Sequence, residues 1–232
     1  MVRRTRTGIV GAWLLLAAPL IAWLAELVTA AAWQDPPYAP LYNWVSHLGV
    51  PGPAQEAFGQ VINSPLAWVM NTGWILYGVL ATTGLILVLR FRTGIRPILI
   101  GALGLVAGIG IVLVALVHGS QENVDNGLIV LHLLGAQAAI IAGNLSAVLV
   151  GTFQRRLGIS RGIGTASLII GIVGLISFVV FMTDYQSGAE WNLGLFERGA
   201  VYGAYLGHAL LGASLLAALR PRTAPFSSKA TS

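Results

Sequence analysis

The sequence contains no cysteine and few charged residues. The absence of cysteine from its 232 residues excludes a disulfide framework, a cysteine-ligated zinc ion and an iron–sulfur cluster. Charged types make up 9% of the chain, against about 25% in an ordinary soluble domain, and so few charges cannot form the surface of a soluble globular protein. Apolar types make up 56%, which excludes intrinsic disorder. The composition is therefore that of an integral membrane protein.

The short motifs of several enzyme classes are also absent. No glycine motif for nucleotide phosphates is present, because the glycines at positions 101 and 104 lie inside an apolar run instead of after a strand. No His-x-x-x-His or His-Glu-x-x-His pair places two zinc ligands on one helix. Ser46 and His47 are adjacent, and adjacent side chains of an extended segment point to opposite faces, which disfavours a nucleophile and its base. We predict neither a bound metal ion nor a cofactor.

Six apolar segments are long enough to cross a bilayer. A transmembrane helix needs roughly 20 mostly apolar residues, and charge, proline or several polar residues separate the segments. The first segment is longer than the 7–15-residue apolar region of a signal peptide, so we expect it to remain as an anchor. The sequence predicts an all-α, integral membrane, six-helix transmembrane bundle that forms one domain over residues 1–220. Its spans are predicted at about 8–32, 65–89, 95–117, 127–151, 162–182 and 196–219.

The longest connection between spans, residues 33–64, is rich in proline and aromatic residues. Trp and Tyr rings prefer the headgroup level of a membrane, so we predict that this first loop forms an extracytoplasmic cap lying on the bilayer surface. Within it, residues 54–63 are interpreted as a short interfacial helix. Residues 221–232 are small and polar and are predicted to be a disordered cytoplasmic tail.

The charged residues are divided between the two ends of the predicted bundle. All but one of the 13 Lys and Arg lie in the N-terminus, the second loop, the fourth loop and the C-terminus, and Arg198 is the exception. The 8 acidic residues lie in or beside the other three connections. Because cytoplasmic loops hold the excess of Lys and Arg, we predict cytoplasmic termini in a plasma membrane of the bacterial inner-membrane type. The four basic collars suit anionic lipid headgroups but do not form the continuous patch that a nucleic acid requires.

Small residues favour close packing of the last span. Gly199, Gly203 and Gly207 recur at spacings of four, and small residues let the backbones of membrane helices approach. Packing within one bundle and a homodimer through these glycines are both compatible with the pattern.

Several polar residues occur within or beside the spans, where an ionisable group costs about 2.5–3.5 kcal/mol on insertion scales. Most lie in the half of the bundle predicted to face outward, which predicts a shared polar pocket there. Each also has a structural interpretation, such as an ion pair of Glu26 with Arg198, helix–helix packing for Asn71 and His208, or exposure for His47. The candidate pocket residues are Glu26, Asn43, Ser46, His47, Asn71, His118, His132, Glu197, Arg198 and His208.

Several short motifs, in this order, resemble the domain of unknown function 998 family of bacterial and archaeal membrane proteins. The first loop contains Tyr-Asn-Trp-Val-Ser-His-Leu-Gly at 42–49 and Val-Ile-Asn-Ser at 61–64, followed by Gly73 and Gly78. His132 lies early in the fourth span, and Gly-Leu-Phe-Glu-Arg at 194–198 leads to Tyr202. The resemblance implies a six-helix membrane fold and supplies no activity, substrate or cofactor. This chain has His47 where the family usually has Asp.

Four functions are compatible with these features. The favoured one, which is not enzymatic, is an outward-facing polar pocket that binds or moves a lipid or small amphiphile. An intramembrane metal-dependent hydrolase or transferase would use His118, His132 and His208 with Glu26 or Glu197, because imidazoles and a carboxylate suit zinc. A haem electron-transfer protein would use His118 and His132 as axial ligands. A structural or assembly factor needs no ligand.

Overall fold

The computed structural model describes residues 6–90, 92–188 and 192–218. Its helices, in chain order, are α1 (Arg6–Ala32), α2 (Ala67–Leu89), α3 (Ile95–Leu116), α4 (Gln121–Asp125), α5 (Ile129–Thr152), α6 (Gln154–Leu157), α7 (Arg161–Ser187) and α8 (Leu193–Ala217). All except α4 and α6 are long and apolar enough to cross a membrane. The predicted six-helix bundle is therefore confirmed, with span boundaries shifted by up to five residues. The predicted tail at 221–232 lies outside the described residues.

The six long helices form a ring. Around it, each helix contacts the next in the order α1, α2, α3, α5, α7, α8 and back to α1, and α5 also contacts α8. This extra contact places α7 on the outer side of the α5–α8 pair, which agrees with α7 having the smallest buried share of the six. The remaining five helices surround an interior space.

Glycine permits close backbone approach at every contact around this ring. At the α3–α5 contact, a Cβ atom on Gly110 would lie 2.6 Å from the carbonyl oxygen of Gly135. Lipid is as apolar as leucine, so close packing has to replace the hydrophobic effect as the force between membrane helices. The equivalent close approaches elsewhere are Gly11 with Gly84, Gly78 with Gly108, Gly151 with Gly164, Gly174 with Gly203, and Gly212 with Ala12.

Asn144 connects the three helices α5, α7 and α8. It is fully buried, and its Nδ2 donates to the carbonyl oxygens of Ile140 and Ala200, each at 2.8 Å. Its Oδ1 occupies the space that side chains at Gly174 and Gly203 would need. The amide thus joins α5 to α8, and the two glycines let it fit between α7 and α8.

The glycines of α8 pack against other helices of the same chain. Cβ atoms at Gly199, Gly203 and Gly207 would lie 2.6 Å from Ser177, 2.1 Å from Asn144 and 2.7 Å from Ala147 respectively. Their face of α8 is therefore covered within one bundle. A homodimer through these glycines stays a prediction.

The first connection contains a hairpin instead of the predicted interfacial helix. Strands β1 (Gln55–Ala57) and β2 (Gln60–Ile62) pair antiparallel with Gln55 opposite Ile62, so the helix predicted at 54–63 was wrong. Phe58 and Gly59, the two residues between the strands, both have positive φ, at 53° and 72°. A two-residue turn with positive φ at both positions matches the twist of a hairpin, and a helix cannot pass through it.

The first connection packs onto one end of the bundle, and we call residues 33–64 the cap. It includes a short 3₁₀ helix, η1 (Ser46–Gly49). Trp33, Leu48 and Ile62 are almost completely buried, and Trp44 is buried as well. The two tryptophans therefore pack inside the protein instead of facing headgroups. We call this end of the bundle the cap end and the opposite end, where the α2–α3 and α5–α7 connections lie, the arginine end.

Candidate functional site

A buried ion pair joins the first and last long helices near the cap. Arg198 Nε donates to Glu26 Oε1 at 2.9 Å, and both residues are less than one-tenth exposed. The Tyr202 hydroxyl donates to the other carboxylate oxygen of Glu26 at 2.8 Å. A buried charge needs a partner and further hydrogen bonds to offset its desolvation, and Glu26 has both.

The other nitrogens of Arg198 bind the cap. Nη1 donates to the carbonyl oxygens of Pro40, of Asn43 at 2.9 Å and of Gly194 at 3.1 Å. Nη2 donates to the Tyr38 hydroxyl. A guanidinium carries five N–H donors in a planar fork, so one side chain connects α1, α8 and the cap.

The neighbouring Glu197 binds the start of η1. Its carboxylate accepts the backbone N–H of Val45 and that of Ser46, the latter at 3.3 Å. Glu197 is buried. Because the first N–H groups of a helical turn have no partner within that turn, a carboxylate from α8 satisfies donors that would otherwise be buried alone.

Two asparagines also hold the cap in place. Asn43 Oδ1 accepts the backbone N–H of Ala39 at 2.8 Å, and its Nδ2 donates to Gln60 Oε1 at 3.3 Å. Asn71 of α2 donates from Nδ2 to the carbonyl oxygen of Gly49 at 2.9 Å. Their amides therefore serve the folding of the cap and its attachment to α2.

His47 lies under the cap among aromatic rings. It is 1% exposed, and its ring stacks on Trp44 with centroids 4.7 Å apart. Burial lowers the pKa of His47 to about 3, and the nearby Gln60 side chain opposes this effect. The imidazole is therefore neutral at physiological pH, and the exposure predicted from the sequence is wrong.

Two of the other three histidines, His132 and His208, hydrogen-bond different groups. His132 Nδ1 hydrogen-bonds the carbonyl oxygen of Val117 at 2.7 Å, and His118 is half-buried in the same connection, where burial lowers its pKa. His208 Nδ1 lies 2.9 Å from the Tyr77 hydroxyl, while its Nε2 is buried without a hydrogen bond to any described residue. Within the three described ranges, no group of three His, Asp or Glu residues could hold a metal ion.

A cavity, which we call the cap cavity, lies inside the ring between α2, α3, α5 and α8. It extends from the cap to Ala107, near the middle of α3. Of the ten polar residues that the sequence predicted to form a pocket, Ser46 and Glu197 line it, at its cap end. Its walls are apolar and consist largely of small and aromatic side chains, including Ala107, Ala136, Ala139, Ala204, Trp74, Tyr77 and Tyr205.

Sequence reasoning did not identify these wall residues. Alanine is common in any apolar span, so Ala107 and Ala136 carry no distinguishing pattern. The positions of the aromatic residues could have indicated the cavity, since Trp74, Tyr77 and Tyr205 lie within spans, away from the interfacial level that such rings prefer. Tyr77 and Tyr205 pack together, with ring centroids 4.4 Å apart.

Comparison with known proteins identifies a family without a described activity. No curated protein and no solved structure matches the chain. The family model described as "Protein of unknown function (DUF998)" matches residues 16–214. This range includes four of the long helices in full, most of α1 and α8, the cap and every candidate residue described above. The protein is thus a multi-pass membrane protein of unknown function, and it belongs to the DUF998 family.

Proposed function

We propose that the protein binds, or moves, a lipid or small amphiphile whose apolar part occupies the cap cavity. The observation that carries this proposal is the cavity itself: apolar walls with a small number of polar groups at one end. Ligand sites are commonly concave and mostly apolar, with few polar groups that fix the orientation of the ligand. An acyl chain fits the apolar walls, and a polar group of the same molecule would lie next to Ser46 and Glu197.

The chemistry of these two residues favours a ligand whose polar part donates hydrogen bonds. An ionised carboxylate only accepts hydrogen bonds, whereas a serine hydroxyl donates and accepts. Two backbone N–H groups of the cap already use part of the acceptor capacity of Glu197. A hydroxyl or ammonium group of the ligand could use the remaining capacity.

Filling the cavity tests the proposal. We expect Ala107→Phe to reduce the amount of amphiphile that co-purifies with the protein about tenfold, since forcing extra volume into an occupied space costs about 1–3 kcal/mol. Bound molecules are extracted from protein purified in mild detergent and quantified by mass spectrometry per mole of protein.

Ala102→Phe is the matched control, because Ala102 lies on the same helix and is exposed. This variant should retain the amphiphile at the level of the original protein. A cavity that yields no selectively bound amphiphile, or equal retention by both variants, contradicts the proposal. Gel filtration checks that both variants remain folded and monodisperse.

We also propose that the cap end faces outward from a bacterial-type plasma membrane and that the arginine end faces the cytoplasm. The support is the distribution of charge, since Arg6, Arg92, Arg96, Arg155, Arg156 and Arg161 all lie at or near the arginine end. Excess Lys and Arg marks cytoplasmic loops.

The absence of cysteine makes this orientation simple to test. Ala54 in the cap and Thr93 between α2 and α3 are both exposed. We expect Ala54→Cys to react with a membrane-impermeant maleimide in intact cells, and Thr93→Cys to react only after the cells are permeabilised. The reverse pattern would invert the proposed orientation, and the cysteine-free original chain is the blank.

A further inference from the structure

A second cavity, the arginine cavity, lies at the opposite end of the bundle from the cap. It lies between α2, α5, α8 and the connection that leads into α7. Its lining is aliphatic, with Leu89, Val150, Leu157 and Leu211 among the residues, and Arg92 is the single charged residue among the described residues that line it. An apolar space with one cation at its edge therefore lies where the bundle meets one face of the membrane.

Few hydrogen bonds from the described residues offset the partial burial of the Arg92 guanidinium. It is half-buried, and burial lowers the pKa of Arg92, although an arginine stays protonated in proteins. Among the described residues, it makes one hydrogen bond, from Nη1 to the carbonyl oxygen of Arg156 at a long 3.4 Å. Most of its five N–H donors are left for another acceptor.

No Asp or Glu lies in the stretches of sequence that line this site. The sequence has no Asp or Glu in residues 57–121, 126–183 or 198–232, nor in residues 1–25, and these ranges include every residue that lines the arginine cavity. The surrounding charges are also positive, since Arg155 and Arg156 lie on α6 beside it. A partly desolvated cation next to further cations attracts an anion from outside the protein.

We infer that the arginine cavity binds an anionic membrane phospholipid, with the phosphate on the Arg92 guanidinium and an acyl chain against the aliphatic lining. A phospholipid brings both chemistries to this location, since its phosphate accepts a bidentate hydrogen bond from an arginine and its chain matches Leu and Val side chains. Anionic lipids are concentrated in the cytoplasmic leaflet, which the arginine end faces in the orientation proposed above. The inference does not depend on the cap cavity or its ligand.

Competition between lipids tests this site. Native mass spectrometry of the full chain in detergent micelles that contain both phosphatidylglycerol and phosphatidylcholine should show selective retention of phosphatidylglycerol. We expect Arg92→Gln to weaken that retention about tenfold, which corresponds to about 1.4 kcal/mol, because it removes a charge-assisted hydrogen bond to the phosphate. Arg92→Lys should give an intermediate value, because it keeps the charge and loses the planar fork.

Arg155→Gln is the matched control, because Arg155 is exposed at the same end and its removal changes the net charge equally. It should change retention less than twofold, because the interactions of an exposed charge contribute little. Equal losses for Arg92→Gln and Arg155→Gln would overturn the inference in favour of general electrostatic attraction. Equal retention of phosphatidylcholine, or displacement of the lipid by free glycerol phosphate, would also overturn it.

Discussion

Replacing Arg198 with leucine should destabilise the protein by about 3–5 kcal/mol, because it leaves a buried charge without its partner. Among the described residues, Glu26 would keep only the Tyr202 hydroxyl as a hydrogen-bond donor, in a position that is 6% exposed. The carbonyl oxygens of Pro40 and Asn43 would lose their donors at the same time. The measurement is the free energy of unfolding in detergent micelles, followed by far-ultraviolet circular dichroism.

A double variant separates the ion pair from the attachment of the cap. Glu26→Gln combined with Arg198→Leu removes both charges, so it should recover part of the loss, since replacing both partners avoids the orphaned charge. The recovery should be incomplete because the cap carbonyl oxygens still lack a donor. A double variant as unstable as the sum of the two single variants would show that the Glu26–Arg198 pair contributes no coupling.

The ion pair in this part of the molecule could be predicted from the sequence, whereas its contacts with the cap could not. Charge within an apolar span is expensive, so the sequence alone identified Glu26, Glu197 and Arg198 as residues that need an explanation, and one of the interpretations was the pair that forms. The sequence could not show that the cap needs these groups. The backbone N–H of Val45 and the carbonyl oxygen of Asn43 carry no sequence pattern, and they are the partners that occupy Glu197 and Arg198.

The cap cavity was harder to predict for a related reason. A polar pocket was expected because polar side chains stand out against apolar spans. The cavity forms instead where small side chains such as Ala107 and Ala204 face one another across the ring. The hairpin was missed because Phe58-Gly59 is an uncommon turn pair, since φ above zero is unusual for a bulky residue such as phenylalanine.

Close backbone contacts and the cap cavity have a common origin in small residues. Where a glycine of one helix faces a glycine of the next, as at Gly78 and Gly108, the backbones touch and no space remains. Space is left where alanines and aromatic rings face the interior, because contacts with other neighbouring helices hold these helices apart. The glycine contacts around the ring therefore keep the helices in positions that leave the interior open.

The α3–α5 contact gives the second large expected effect. Gly110→Val should destabilise the bundle by at least about 3 kcal/mol, the upper end of the range for overpacking. Its Cβ would lie 2.6 Å from backbone atoms of Gly135 and Ala139, and the backbone cannot move aside as a side chain can.

Gly101→Val is the control on the same helix, where an added Cβ would meet only Leu89, at 3.9 Å. The control should lose less than about 1 kcal/mol, as most substitutions away from packed positions do. Both are measured by unfolding in micelles. Similar losses for the two variants would mean that valine destabilises α3 at any position. The backbone contact between α3 and α5 would then not be what holds the ring of helices together.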